Sequence, residues 1–183
     1  MTDHGTTRTH TPADVAATPR EHKATAPAAV GCFVLTVSDT KTPDTDTSGI
    51  LVRELLAAGG HRIAGSAIVR DEPVDVQRVV RAAAADPAVQ VVIVTGGTGI
   101  TSRDSTFEAI EALLDKRLPG FGELFRMLSY QEVGGAAMLS RAQLGIHRRK
   151  IVASLPGSPN ACRLALEKLL LPELGHLVRE VSR

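Results

Sequence analysis

The chain has 183 residues, with 21 Lys+Arg against 20 Asp+Glu and a formal net charge of +1. That length suits one domain, and the near-balance gives no support to a nucleic-acid binder that works through bulk positive charge. Aromatics make up only 3% of the residues and Trp is absent, so the core falls to Val, Ile, Leu and Ala, and base stacking on aromatic platforms is a poor fit.

Residues 1–30 carry seven Thr, seven Ala and three Pro, and no Leu, Ile or Phe. Such a stretch buries too little apolar surface to offset its ordering entropy. It is read as a disordered tail ahead of a domain over 31–183. The apolar, β-branched run at 31–38 predicts a buried strand. Over 48–58, Ile50, Leu51, Leu55 and Leu56 share a helical face, and Gly59-Gly60 closes that helix. A weaker strand is expected at 62–70 and a helix at 73–85, with Pro73 in its first turn. The run at 89–95 has almost no alternation, which marks a parallel strand covered on both faces. Helical stretches are expected at 105–116, 121–133 and 136–144. Another buried strand follows at 150–155, then a helix at 158–171 with Ser158 as N-cap and Pro159 behind it, and a last short helix at 173–181. Cys32 and Cys162 are too few for a disulfide framework or a four-cysteine zinc site. No apolar run approaches the roughly 18 residues of a membrane span, and the N-terminus lacks the apolar core of a signal peptide. The expectation is a cytoplasmic protein.

Strands alternating with helices predict an open, mostly parallel α/β sheet, and in such sheets ligands bind beyond the C-terminal strand ends. Those ends read Ser38-Asp39, Arg70-Asp71, Thr95-Gly96-Gly97-Thr98-Gly99 with Arg103-Asp104 beyond, and Pro156-Gly157-Ser158. The glycines let backbone N–H groups approach a ligand closely, and a following helix adds its positive end, so a phosphate is the natural guest. The loop lacks both the Lys of a Walker A loop and the spacing of a dinucleotide fingerprint. Ser105 to Glu108 fits a capping box, which leaves Asp104 for other work. A carboxylate beside a phosphate loop suits Mg²⁺, which bridges carboxylates and phosphates; the alternative is a solvated ion pair with Arg103. Asp71 reads equally as a site residue or as the cap of the helix that follows it. Asp39 is a turn residue by composition and a site residue by location, whereas Asp44 and Asp46 read as turn or cap residues. Ser158 caps a helix whose start is itself an anion site. No His is assigned to catalysis.

Taken together, TGGTG with RD beyond it, PGFGELFRMLS, AMLSRA and LPGSP resemble the MogA/MoaB family of molybdenum-cofactor biosynthesis proteins, leaning to the MoaB branch through VSDT and DTDTSG. The resemblance covers residues 31–181. It implies a three-layer α/β domain assembled as a homotrimer or hexamer. It also implies adenylylation of molybdopterin by Mg-ATP, with release of pyrophosphate, ahead of molybdate insertion by a possible partner protein. No tightly bound organic cofactor is implied. The family's two essential aspartates fall on Asp71 and Asp104, which would also hold Mg²⁺. Its nucleotide and phosphate site falls on Thr95, Gly96, Gly97, Thr98 and Gly99, and its rim on Ser38, Asp39, Pro156, Gly157 and Ser158. The alternative is a non-catalytic molybdopterin-binding or scaffold member of the same family. A CinA-like domain acting on another nucleotide is disfavoured by the continuous match through PGFGE and LPGSP.

Overall fold

In the computed structural model of the chain, the described residues are 26–102 and 104–183. Among them six strands form one sheet in the order β2-β1-β3-β6-β5-β4. The strands are β1 (Gly31–Val37), β2 (Arg62–Val69), β3 (Val91–Thr95), β4 (Lys116–Arg117), β5 (Gln143–His147) and β6 (Lys150–Leu155). β2, β1, β3 and β6 run parallel, while β5 and β4 close one edge antiparallel. The mostly parallel α/β sheet expected from the sequence is therefore present.

The apolar strands bury both faces because their side chains alternate between two cores. Cys32, Val34, Val91, Ile93, Ile151, Ala153 and Leu155 meet Val52 and Leu56 of helix α1 (Thr47–Ala58), Phe125 of α4 (Pro119–Val133), Leu164 of α5 (Pro159–Ala165) and Leu174 of α6 (Leu174–Ser182). On the other face Leu35, Val92, Val94 and Val152 meet Val76 and Val80 of α2 (Pro73–Ala85) and Ile110 of α3 (Thr106–Glu111). This gives three layers, with α2 and α3 opposite the other four helices.

Three sequence expectations are corrected. Residues 136–144 do not form a helix: a 3-10 turn ends at Leu139 and the chain then enters β5. β5 returns into β6 through Arg148 and Arg149, both at positive φ (49° and 60°), in a position where Asn and Gly are the usual signals. The helix expected over 105–116 stops at Glu111, and Lys116–Arg117 becomes the short edge strand β4. The tail boundary also moves. The disorder expected of residues 1–30 falls mainly on residues 1–25, which lie outside the described residues. Val30, by contrast, is buried in the core; its carbonyl accepts from Arg62 N at 3.0 Å and its N–H donates to His61 Nδ1 at 3.4 Å.

The remaining punctuation holds. Gly60 sits at φ 82° just past α1, as a left-handed helix end requires. Ser158 caps α5 by accepting from Ala161 N. Both cysteines are buried and free. No helix among the described residues is long and apolar enough to cross a membrane.

Candidate functional site

Because β1, β2, β3 and β6 are parallel, their C-terminal ends open on one rim. The centre of that rim is the loop after β3. Gly96 and Gly97 lie at φ 102° and 62°, and the packing at each excludes a side chain. A Cβ on Gly96 would stand 2.2 Å from the Val37 carbonyl oxygen, and one on Gly97 would stand 2.1 Å from Thr106 Oγ1 and 2.4 Å from Asp71 Oδ2. A Cβ on Gly99 would stand 2.6 Å from Asp104 Oδ2. The two aspartates therefore press on the same loop, two residues apart. Gly157, at the end of β6, approaches Gly96 from the other side: a Cβ there would lie 3.3 Å from Gly96 Cα. A cavity of about 350 Å³ opens over these loops, lined by Gly96, Gly97, Thr98, Gly99, Asp104, Leu139, Ser140, Pro156 and Gly157.

Asp71 does not cap the helix that follows it. Glu72 occupies that position, without a side-chain cap bond. Asp71 Oδ1 instead accepts from Ser105 N (3.3 Å), Ser105 Oγ (2.9 Å) and Thr106 Oγ1 (3.2 Å), joining the tip of β2 to the start of α3. Ser105 stands at the N-cap of α3 but makes no cap bond of its own, so the expected capping box is replaced by this longer-range tie. None of these three bonds uses Asp71 Oδ2, the oxygen facing Gly97. Asp104 Oδ2 accepts from Thr101 N (2.9 Å) and Thr101 Oγ1 (2.6 Å). The Thr101 hydroxyl holds the Asp104 carboxyl below the usual carboxylate range. Partial desolvation opposes this; the N–H groups of Thr101 and Gly99 and the charge of Arg141 add to it.

The rest of the rim divides into exposed and inward-facing groups. Asp39 Oδ1 accepts the backbone N–H of Asp71 at 3.2 Å, which ties the β1 and β2 tips together. Ser38 Oγ accepts from Thr40 N and Lys41 N, both at 3.2 Å, and shapes the loop after β1. Thr95 is fully buried: its hydroxyl donates to the Pro156 carbonyl and contacts Cys162 Sγ, so its side chain faces the core rather than the cavity. Ser158 is exposed and its hydroxyl is engaged in the α5 cap.

Two groups of partners were not singled out from the sequence. Arg141 Nε donates to the Thr98 carbonyl and its Nη2 to the Asp104 carbonyl, both at 3.2 Å. The same guanidinium pairs with Glu108 and stacks 5.0 Å over the Phe107 ring, so it clamps the glycine loop from outside. Its signal lay in the AMLSRA motif, but the helix expected over 136–144 hid its direction. The second group surrounds Asp46, which is 1% exposed. It accepts from Thr36 Oγ1 (2.6 Å), Gly49 N (3.0 Å), Ser48 Oγ (3.3 Å) and Lys41 Nζ (3.4 Å). It is the cap of α1 and also a buried ion-pair partner beside the rim.

The donor set bears on a metal. Among the described residues no group of three or more His, Cys, Asp or Glu side chains is placed to hold one. Two carboxylates against a glycine loop fit Mg²⁺, which binds through one or two carboxylates plus substrate phosphates and retains waters. They do not fit a zinc site.

A family model described as a probable molybdopterin binding domain matches residues 33–176. A Bacillus cereus protein named molybdenum cofactor biosynthesis protein B is 52% identical over 164 residues, covering 89% of this chain and 97% of that protein. A solved structure of a molybdenum cofactor biosynthesis protein B is 53% identical with a TM-score of 0.84, covering 86% of this chain and 99% of its own. The tungsten cofactor synthesizing protein MoaB from Pyrococcus furiosus is 40% identical with a TM-score of 0.77, covering 86% of this chain and 100% of its own.

Proposed function

The chain belongs to the family of probable molybdopterin binding domains, and from that premise we propose that it serves molybdenum cofactor biosynthesis by transferring the adenylyl group of ATP to molybdopterin. The observation that carries this reading is the pair of carboxylates, from two different loops, set against one glycine loop. The terminal phosphate of molybdopterin is an anion at neutral pH, so its oxygen attacks the α-phosphorus without a general base. A new O–Pα bond forms, the bond between Pα and the β-bridging oxygen breaks, and pyrophosphate leaves with the electron pair. Catalysis is then positioning plus charge neutralisation. The N–H groups of the loop at Gly96 to Gly99 bind phosphate oxygens. Asp71 and Asp104 would hold Mg²⁺, which supplies charge neutralisation at the phosphates. Asp39 and Ser105 keep Asp71 in place, and Arg141 keeps the loop closed against Asp104. A site of this chemistry needs neither His nor Cys.

Purified protein incubated with molybdopterin and Mg-ATP is expected to yield adenylylated molybdopterin and pyrophosphate in equal amounts. Binding of molybdopterin without product, under conditions where an active relative turns over, would make the chain a binder or scaffold instead.

A further inference from the structure

A second pocket, about 750 Å³, opens on the outer side of the β1 and β2 tips, beside Ser38 and Asp39. Four cationic side chains line it: Lys41, Arg53, Arg70 and Arg78. Two of these are already matched. Lys41 pairs with buried Asp46, and Arg78 pairs with Asp75 at 2.8 Å. Arg53 and Arg70 have no ion pair among the described residues, so they leave a net positive field in a concave site. Asp39, the remaining acid of the pocket, has one carboxylate oxygen engaged by the backbone N–H of Asp71.

Asp71 links a lining residue of one cavity to a lining residue of the other. The backbone of Asp71 is fastened to Asp39 on the side of the arginine-lined pocket, while its carboxylate meets Gly97 on the side of the glycine loop. At about 350 Å³ the glycine-loop cavity lies near the lower end of the roughly 300–1,000 Å³ typical of small-molecule sites, and the second pocket lies well within it. We propose that this pocket binds the polyphosphate of a nucleoside triphosphate, with Arg53 and Arg70 as its cations. Guanidinium groups suit this role because they meet phosphate oxygens with two parallel N–H bonds. Resting on the adenylyl-transfer reading, the two substrates then occupy separate cavities on either side of Asp71. The α-phosphate sits beside Asp71, and the pyrophosphate leaves toward Arg53 and Arg70, which take up its developing charge.

Titration calorimetry of the full chain with inorganic tripolyphosphate, ATP and AMP tests the site. Tripolyphosphate and ATP are expected to bind, and AMP far more weakly. The double variant Arg53→Gln, Arg70→Gln is expected to lose about tenfold or more in affinity for both polyphosphates. The double variant Arg81→Gln, Lys168→Gln removes an equal charge from exposed surfaces outside the pocket, Arg81 bonding only Gln77 among the described residues, and is expected to change little. Equal losses in the two double variants would mean bulk attraction, and no loss in the Arg53→Gln, Arg70→Gln variant would place the polyphosphate elsewhere; either overturns the proposal, as does a wild-type chain that binds no tripolyphosphate. Arginine-dependent binding in a protein that makes no adenylylated molybdopterin would refute the reaction and keep the pocket. Product formation with arginine-independent ATP binding would do the reverse.

Discussion

Asp71 receives its three hydrogen bonds on one carboxylate oxygen and turns the other toward the glycine loop. Asn retains an oxygen for the first task and loses the charge for the second. Asp71→Asn is therefore expected to cost about 1 kcal/mol of stability, the difference between charge-assisted and neutral bonds, and to lower adenylyl transfer by about 100-fold or more. The same outcome is expected for Asp104→Asn, whose acceptor bonds come from Thr101. Melting curves and turnover, measured together, separate the roles: full turnover in Asp71→Asn would leave that residue as a structural tie alone. Asp46 belongs to stability. Burial pushes its carboxyl up, but the Thr36 hydroxyl, the Gly49 N–H and the Lys41 ammonium together hold it below the ordinary value. A carboxyl lowered in the folded state stabilises fully above its unfolded pKa of about 3.9. That contribution is lost as pH falls through the folded value. Urea melts between pH 5 and pH 2 are expected to show a steeper acid loss for the wild type than for Asp46→Asn. Parallel slopes would remove Asp46 from the acid response.

At the scale of elements, the first half of the domain was legible because period and punctuation agreed. Pro73 opened α2, Gly59-Gly60 closed α1, and the unbroken apolar run ending at Thr95 marked a central strand. The converging tips followed from parallelism, so the rim that carries the candidate site was legible with the fold. The β5–β6 hairpin was not. Its turn is made of Arg148 and Arg149 rather than Asn and Gly, and Ala-rich residues before it continued the helical pattern of α4. Long-range partners were also invisible: Asp71 with Ser105, and Arg141 with Thr98, are 34 and 43 residues apart. The hairpin carries a measurable penalty. A non-Gly residue in the left-handed region is strained by roughly 1–2 kcal/mol, and Asn tolerates it better. Arg148→Asn is expected to raise stability by about 0.5 kcal/mol. Arg149→Gly is expected to gain nothing net, because the Arg149 guanidinium bonds the Val181 and Ser182 carbonyls at the end of α6. Denaturant midpoints of the two variants check this; a gain from Arg149→Gly would show those bonds to be idle.

At the scale of the whole molecule, α4 presents an outward row of Leu124, Met127, Tyr130 and Val133, continued by Met138 and Leu139, all about half or more exposed. A contiguous apolar face of this kind marks an interaction surface. A trimer or a multiple of three is expected, with Tyr130→Glu reducing the mass seen by light scattering; a wild type that is monomeric at micromolar concentration would refute it. The two cysteines give the fold a chemical clock. Burial pushes the Cys32 thiol up to about 12, with Arg62 only partly opposing, and it also raises Cys162. A reagent that needs the thiolate meets neither group until the sheet separates from α1 and α5. Alkylation by iodoacetamide at pH 8 is therefore expected to proceed at the rate of domain opening, with both sulfurs modified in step and the rate rising with urea. Fast labelling of one sulfur in the native protein would show a local opening at that end of the sheet. Followed by mass, the reaction reports how often a native molecule opens in the absence of denaturant, a lifetime that a melting temperature does not measure.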